Sequence, residues 1–235
     1  MEDILTAAFW IGVLSGGIRL ATPYLFAAIG ETLGQRSGIL NLGVEGQMLM
    51  GAFIGFYVAL QTGNLGLAML AAAGIGALMG LAMAYVSIGL QAVQGISGVG
   101  FYLFGLGMSE LLFHKLMGSV ETVSGFPPIN IPGLSDLPVV GEILFSQNLL
   151  VYGAFALVPI ACFVLNKTTL GLKIRAVGEN PHADDSLGVS VVRIRYFTII
   201  LGGILSGVAG ASLSIALLNV FQQNITSGLG FIAVS

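Results

Sequence analysis

The chain has 235 residues, 56% apolar and 8% charged, with 35 glycines and a net charge of −3, and its mean hydropathy is +0.97. Charged residues make up roughly 25% of a soluble globular chain, so a soluble domain is excluded, while the apolar content suffices for about six bilayer spans of roughly 20 residues. Eight Lys plus Arg against eleven Asp plus Glu provide no basic field to hold a phosphate backbone, which excludes nucleic acid as a partner.

In chain order, Met1-Glu2-Asp3 lacks the positive n-region of a secretory signal and reads as the start of the mature chain. Apolar runs follow at 8–33, 38–60, 64–90, 95–117, 149–165 and 194–220. They predict an all-α polytopic membrane protein with about six transmembrane helices. Arg19 and Pro23 interrupt the first run, and Gly38, Gly43 and Gly46 weaken the start of the second, so a broken or re-entrant first or second helix is expected. In the third run Gly76, Gly80 and Ala84 recur every four residues. In the sixth, Gly202, Ser206, Gly210 and Ser214 do so beside Gly203, Gly207 and Ala211. Such stripes let helices approach closely in lipid. Gln91, Gln94 and Ser97 lie around the break between the third and fourth runs and read as interfacial residues, and Gln222, Gln223, Asn224 and Thr226 read as a solvated loop after the sixth. Cys162, the single cysteine, sits in an apolar run and reads as a small core hydrophobe without a disulfide partner.

Charge sets the orientation. The 118–148 segment carries Glu121, Asp136, Glu142 and four prolines but no Lys or Arg, whereas Lys167, Lys173, Arg175, Arg193 and Arg195 crowd between the last two runs. Positive charge is retained on the cytoplasmic side, so 166–193 is expected inside and 118–148 outside.

Glu45 is the only formally charged residue between Ser37 and Ser109, and a charge at a helix centre costs about 2.5 to 3.5 kcal/mol on insertion scales. Asn41 and Glu45 are four apart and are expected to share a helix face. Two roles stay open: lining an internal cavity, or pairing with Arg19 or capping a backbone break at the bundle centre. No catalytic constellation, metal-ligand set or phosphate loop is evident, and topology puts His114 and His182 at opposite membrane faces.

In the basic segment, Asn180 suits an N-cap, Pro181 the first helical position, Asp184 and Asp185 the first turn, and Gly188 the position after the C-cap. A helix of about two turns is predicted there, with Ala183 and Leu187 forming a small apolar face. That face either docks in a partner's groove or rests on the membrane interface.

The pattern Gly171-x-x-x-Arg175-Ala-Val-Gly178-Glu179-Asn180-Pro181-x-Ala183…Gly188-Val189 resembles the coupling segment of permease subunits of ATP-binding-cassette importers. The subgroup most similar carries nucleosides or simple sugars and is related to the ribose and branched-chain amino acid permeases. Thr22-Pro23, Gly30-Glu31, Ser37-Gly38-Ile-Leu-Asn41-Leu-Gly43-Val-Glu45-Gly46 and Gly230-Phe231-Ile232-Ala233 extend the resemblance almost from end to end.

The resemblance implies a single permease domain over 1–235, in a bacterial plasma membrane, forming the pathway for a nucleoside or related small polar solute, with a ribose-like sugar as the alternative. It implies a pathway near Asn41, Glu45 and Gln47, and coupling to the ATPase through Arg175, Gly178, Glu179, Asn180, Pro181, Ala183, Leu187 and Gly188. The partners it implies are two cytoplasmic ATPase subunits, a second permease subunit and an extracytoplasmic binding protein, lipoproteins among them; the side, length and acidic, proline-rich character of 118–148 make that segment either the docking surface for the binding protein or a plain solvated connection. No cofactor or catalytic residue of its own is implied, ATP being bound by the partner subunits. Three departures stand out. Asp184 occupies the usual place of a second alanine and adds charge beside the docking face, Gln47 replaces a usual methionine, and the chain ends at Ser235 where the family continues, as in a truncated member. Composition and topology alone also fit a secondary transporter or a membrane scaffold.

Overall fold

The computed structural model describes residues 7–130, 132, 135 and 140–235. The acidic start at Met1-Glu2-Asp3, and Asp136 and Pro138 of the 118–148 segment, lie outside them.

The first helix, α1 (Ala7–Arg36), runs unbroken for 30 residues through Pro23, correcting the expectation of a broken or re-entrant first span. Proline removes one intrahelical donor and leaves the Arg19 carbonyl without it, yet the helix continues, packed against the later helices Leu149–Lys167, Val191–Ser212 and Leu229–Val234. The break comes afterwards. Gly38 takes φ +83°, while the Gly38 and Ile39 amides donate back to the Gln35 and Gly34 carbonyls at 2.9 and 3.1 Å. This is a Schellman stop, which requires a left-handed residue and so favours glycine.

Residues 37–43 are non-helical, and the second helix, α2, begins only at Val44 and ends at Thr62. Asn41 therefore precedes α2 and does not share a helix face with Glu45, another correction. Asn64 then caps α3 (Leu65–Ala84) by accepting from the Gly66 and Leu67 amides. A π-turn, Tyr85–Gly89, ends that helix, and α4 (Gln94–Leu116) follows. The outer segment forms a small antiparallel ribbon, β1 (Pro128–Asn130) against β2 (Ser146–Asn148), around the short α5 (Val140–Leu144). Asn148 caps α6 (Leu149–Lys167), after which come α7 (Thr169–Glu179), α8 (Pro181–Ser186), α9 (Val191–Ser212) and α10 (Leu229–Val234).

Among the described residues, five helical segments are long and apolar enough to cross a membrane: Phe9–Arg36, Leu65–Gly89, Gln94–Leu116, Leu149–Lys167 and Val191–Leu217. The remaining expected span, the second run at 38–60, corresponds to α2, whose Glu45 and Gln47 are shielded because α3, α4 and α9 pack around it. Met48, Leu49, Ala52, Phe53 and Phe56 along α2 are all fully buried.

The small-residue stripes do what the sequence predicts. A Cβ on Gly76 would overlap the Gly203 carbonyl of α9, one on Gly80 would come within 2.9 Å of the Ile199 carbonyl, and one on Gly210 would overlap the Met48 carbonyl of α2. Without large side chains the backbones of α2, α3 and α9 meet directly, and dispersion over that contact replaces the hydrophobic gain that lipid does not provide. Cys162 corrects its expectation: it is exposed, because α6 lies at the margin of the bundle with only Val151, Ala154 and Leu165 buried.

Candidate functional site

The polar centre of the molecule gathers around the break between α1 and α2. The Asn41 amide donates to Glu31 Oε1 at 3.0 Å, the Asn41 side-chain oxygen accepts from the Gly43 amide at 3.0 Å, and its Nδ2 donates to Gln47 Oε1 at 3.2 Å. Gln94 accepts from the Leu40 amide at 2.9 Å, so this residue, read as interfacial, pins the break to the start of α4. Gln47 is fully buried and its Nε2 has no hydrogen-bond partner.

Glu45, 1% exposed, turns away from Asn41. Its Oε1 accepts from the Thr226 hydroxyl at 2.5 Å and the Gly228 amide at 2.7 Å, and its Oε2 from the Gly230 amide at 2.6 Å. The carboxylate thus satisfies free amides at the start of α10, where negative charge is favoured. Gly228 at φ +92° makes the turn, and a Cβ on Gly230 would sit 2.6 Å from the Glu45 Cα. Of the roles left open by the sequence, capping a backbone break matches this geometry. Arg19 does not pair with Glu45 and donates instead to Gln147 Oε1 at 2.8 Å. Thr226, fully buried, corrects its reading as a solvated loop residue, whereas Gln222, Gln223 and Asn224 are exposed.

At the opposite end of α9, the basic segment folds as two helices. The first, α7, was missed by sequence reasoning, although its buried Gly171, Ile174 and Val177 carry a helical spacing and Thr168 caps it by accepting from the Gly171 amide at 3.1 Å. Gly178 packs against the end of α1, where a Cβ would overlap the Arg36 carbonyl. Arg175 and Glu179 line a cavity with Gln35 and Arg36.

The second, α8, forms as predicted. Asn180 Oδ1 accepts from the Ala183 amide at 3.2 Å, Pro181 takes the first turn, and Gly188 takes φ +81°. Ala183 is exposed, and Leu187 is 80% exposed. Asp184 is buried, with Oδ2 unpartnered, so its charge points away from the exposed face rather than beside it. Downstream, Arg195 Nε donates to the Ser37 carbonyl at 3.1 Å, and the Ser37 and Thr198 hydroxyls meet at 2.8 Å. These bonds join the first turns of α9 to the break after α1.

The other sequence candidates separate widely. His114 sits 2.6 Å from Gln223 at the far end of α9 from His182. Among the described residues, no cluster of three or more His, Cys, Asp or Glu could hold a metal ion.

Comparison with known proteins adds the following. Residues 13–235 match the family described as the permease component of branched-chain amino acid transport systems. The chain is 40% identical to a putative glucose ABC transporter permease of Haloferax volcanii, over 97% of this chain and 70% of the relative. It is 37% identical to a guanosine ABC transporter permease of Bacillus subtilis, over 92% and 70% of the two chains. It is 35% identical to a nucleoside ABC transporter permease of Lactococcus lactis, over 95% and 73%. No solved structure matches.

Proposed function

Since this chain belongs to the permease-component family of branched-chain amino acid transport systems, as an ABC permease of the nucleoside and sugar type and a multi-pass integral membrane protein, we propose that it forms the translocation pathway for a nucleoside or a related small polar solute. The observation carrying the reading is the end-to-end similarity to permeases named for guanosine and nucleosides. The relative named for glucose supports a simple sugar as the second reading.

In this reading the chain binds no ATP itself. Two cytoplasmic ATPase subunits do so, a second permease subunit completes the pathway, and an extracytoplasmic binding protein delivers the solute to the 118–148 side. The exposed pair Ala183 and Leu187 on the self-capped α8 enters an ATPase groove, and Arg175, Gly178, Glu179 and Pro181 shape the support beneath it. Movement there reaches α9 directly. The Arg195 to Ser37 and Ser37 to Thr198 bonds carry it to the break at 37–43, so that Asn41 and Gln47, with Glu45 holding α10 against α2, form the element that opens. The unpartnered Gln47 amide is the donor offered to a solute polar edge when the helices part.

The test is ATP-dependent uptake into proteoliposomes containing the assembled complex and its binding protein, with labelled guanosine, ribose, glucose and leucine. Uptake of guanosine that needs the ATPase subunits is the expected result. Uptake of a sugar alone would select the second reading, and uptake driven by an ion gradient without ATP would overturn both.

A further inference from the structure

Where α1 ends, α1, α6 and α7 enclose a cavity of about 260 Å³ with Arg36, Arg175, Thr32 and Asn166 on its polar wall and Ile29 and Val158 on its apolar one. Ile29 and Ala161 also line an apolar cavity of about 280 Å³ reaching in toward Leu205 and Leu157. The two cavities share Ile29 and Ala161, so an apolar slot beside α6 borders the cavity that holds the two guanidiniums.

Arg36 is exposed and Arg175 half-buried at this cavity. Arg175 Nε is enclosed without a hydrogen-bond partner, and among the described residues neither guanidinium has a hydrogen bond or ion pair. An enclosed unpaired N–H is destabilising, and two cations facing one cavity repel unless they share an anion. Glu179 and both arginines line the smaller neighbouring cavity, whereas the cavity against α6 has both guanidiniums and no carboxylate on its wall.

Position selects the anion. Arg36 closes a 28-residue span, about 42 Å at 1.5 Å per residue, against a hydrocarbon core of about 30 Å. It therefore lies at headgroup depth, and the outer face of α6 is lined by exposed apolar residues such as Phe155, Ile160 and Phe163.

We infer that Arg36 and Arg175 clamp the phosphate of an anionic phospholipid whose acyl chain lies in the slot between α1 and α6. Guanidiniums pair phosphate oxygens bidentately, and basic pockets between spans select anionic headgroups. A carboxylate from a soluble partner would match the arginines but leave the apolar slot unfilled. The inference needs only that the chain spans a membrane, and it is independent of the transported solute.

Native mass spectrometry of the full chain, alone and in its ATPase complex, titrated with palmitoyl-oleoyl phosphatidylglycerol or phosphatidylcholine, tests it. Phosphatidylglycerol is expected to bind about tenfold more tightly, with the preference abolished in Arg36→Gln/Arg175→Gln and reduced but retained in Arg36→Lys/Arg175→Lys, which keeps the charge and loses the bidentate fork. As a second readout, bimane on Cys162, which lines the same cavity, is quenched more by brominated phosphatidylglycerol than by brominated phosphatidylcholine only while both arginines are present. Equal binding of the two lipids by the unmodified chain, an unchanged preference in the glutamine variant, or displacement of the lipid on ATPase assembly would overturn the inference. The last outcome would assign the arginines to the protein partner.

Discussion

Glu45 and Thr226 stand 181 positions apart in the chain, yet the Thr226 hydroxyl donates to the Glu45 carboxylate at 2.5 Å, both side chains being withdrawn from solvent. With the Gly228 and Gly230 amides on the same carboxylate, the intramembrane charge is distributed over three donors, and α10 is fastened to the first turn of α2.

Glu45→Ala leaves those three donors unpaired and is expected to lower stability by about 3 kcal/mol or more, and Thr226→Val by about 1 to 2 kcal/mol. Glu45→Gln should fall between them, because its NH2 group meets a backbone N–H where an oxygen was. Thermal unfolding in detergent measures all three. An unchanged transition for Glu45→Gln together with altered uptake would shift the role of Glu45 from fastening to solute contact.

The direct backbone contacts of α9 give a second expectation. Gly210→Ala drives a methyl group into the Met48 carbonyl and should destabilise by about 1 to 3 kcal/mol through overpacking. Gly74 has nothing within 4 Å of its Cβ direction, so Gly74→Ala should be neutral or stabilise by up to about 1 kcal/mol from helix propensity. Comparing the two unfolding temperatures separates packing from propensity.

What the sequence revealed was local. Asn180, Pro181 and Gly188 each act within a turn of their own position, so α8 was legible residue by residue. The glycine stripes were legible because a four-residue period belongs to a single helix. What it hid depends on partners far along the chain. The capping role of Glu45 needed Thr226 and Gly230, Thr226 looked like loop because its partner is on α2, and Gln94 looked interfacial because the Leu40 amide it accepts from lies 54 positions earlier. Pro23 appeared to break α1 because a proline is a local signal, while the packing of α1 against α6, α9 and α10 is not. Cys162 was misplaced for a related reason: in a bilayer, apolar surroundings do not distinguish the core from the outer surface.

The exposure of Cys162 predicts that N-ethylmaleimide, which partitions into lipid, alkylates the folded chain fully in detergent without denaturant. A buried thiol would react only after unfolding. Mass measurement over time distinguishes the two, and Ala154→Cys in a Cys162→Ser background serves as the protected control, since Ala154 is fully buried.

The α8 face carries the sharpest functional expectation. Ala183 and Leu187 are exposed while the backbone beneath them is capped by Asn180 and stopped at Gly188, so Ala183→Glu or Leu187→Asp changes a surface without disturbing the fold. Each should leave the unfolding temperature of the chain unaltered yet weaken ATPase association by about 2 kcal/mol, roughly 30-fold, as expected when a central interface anchor is lost. Asn180→Ala removes the cap at a cost of about 1 kcal/mol and should weaken the same association about fivefold by loosening α8 rather than by altering its face. Co-purification and titration of the ATPase subunits against the three variants measure this order. An unweakened Ala183→Glu variant that still transports would mean that α8 rests on the membrane interface, and coupling would then have to pass through another surface of the chain.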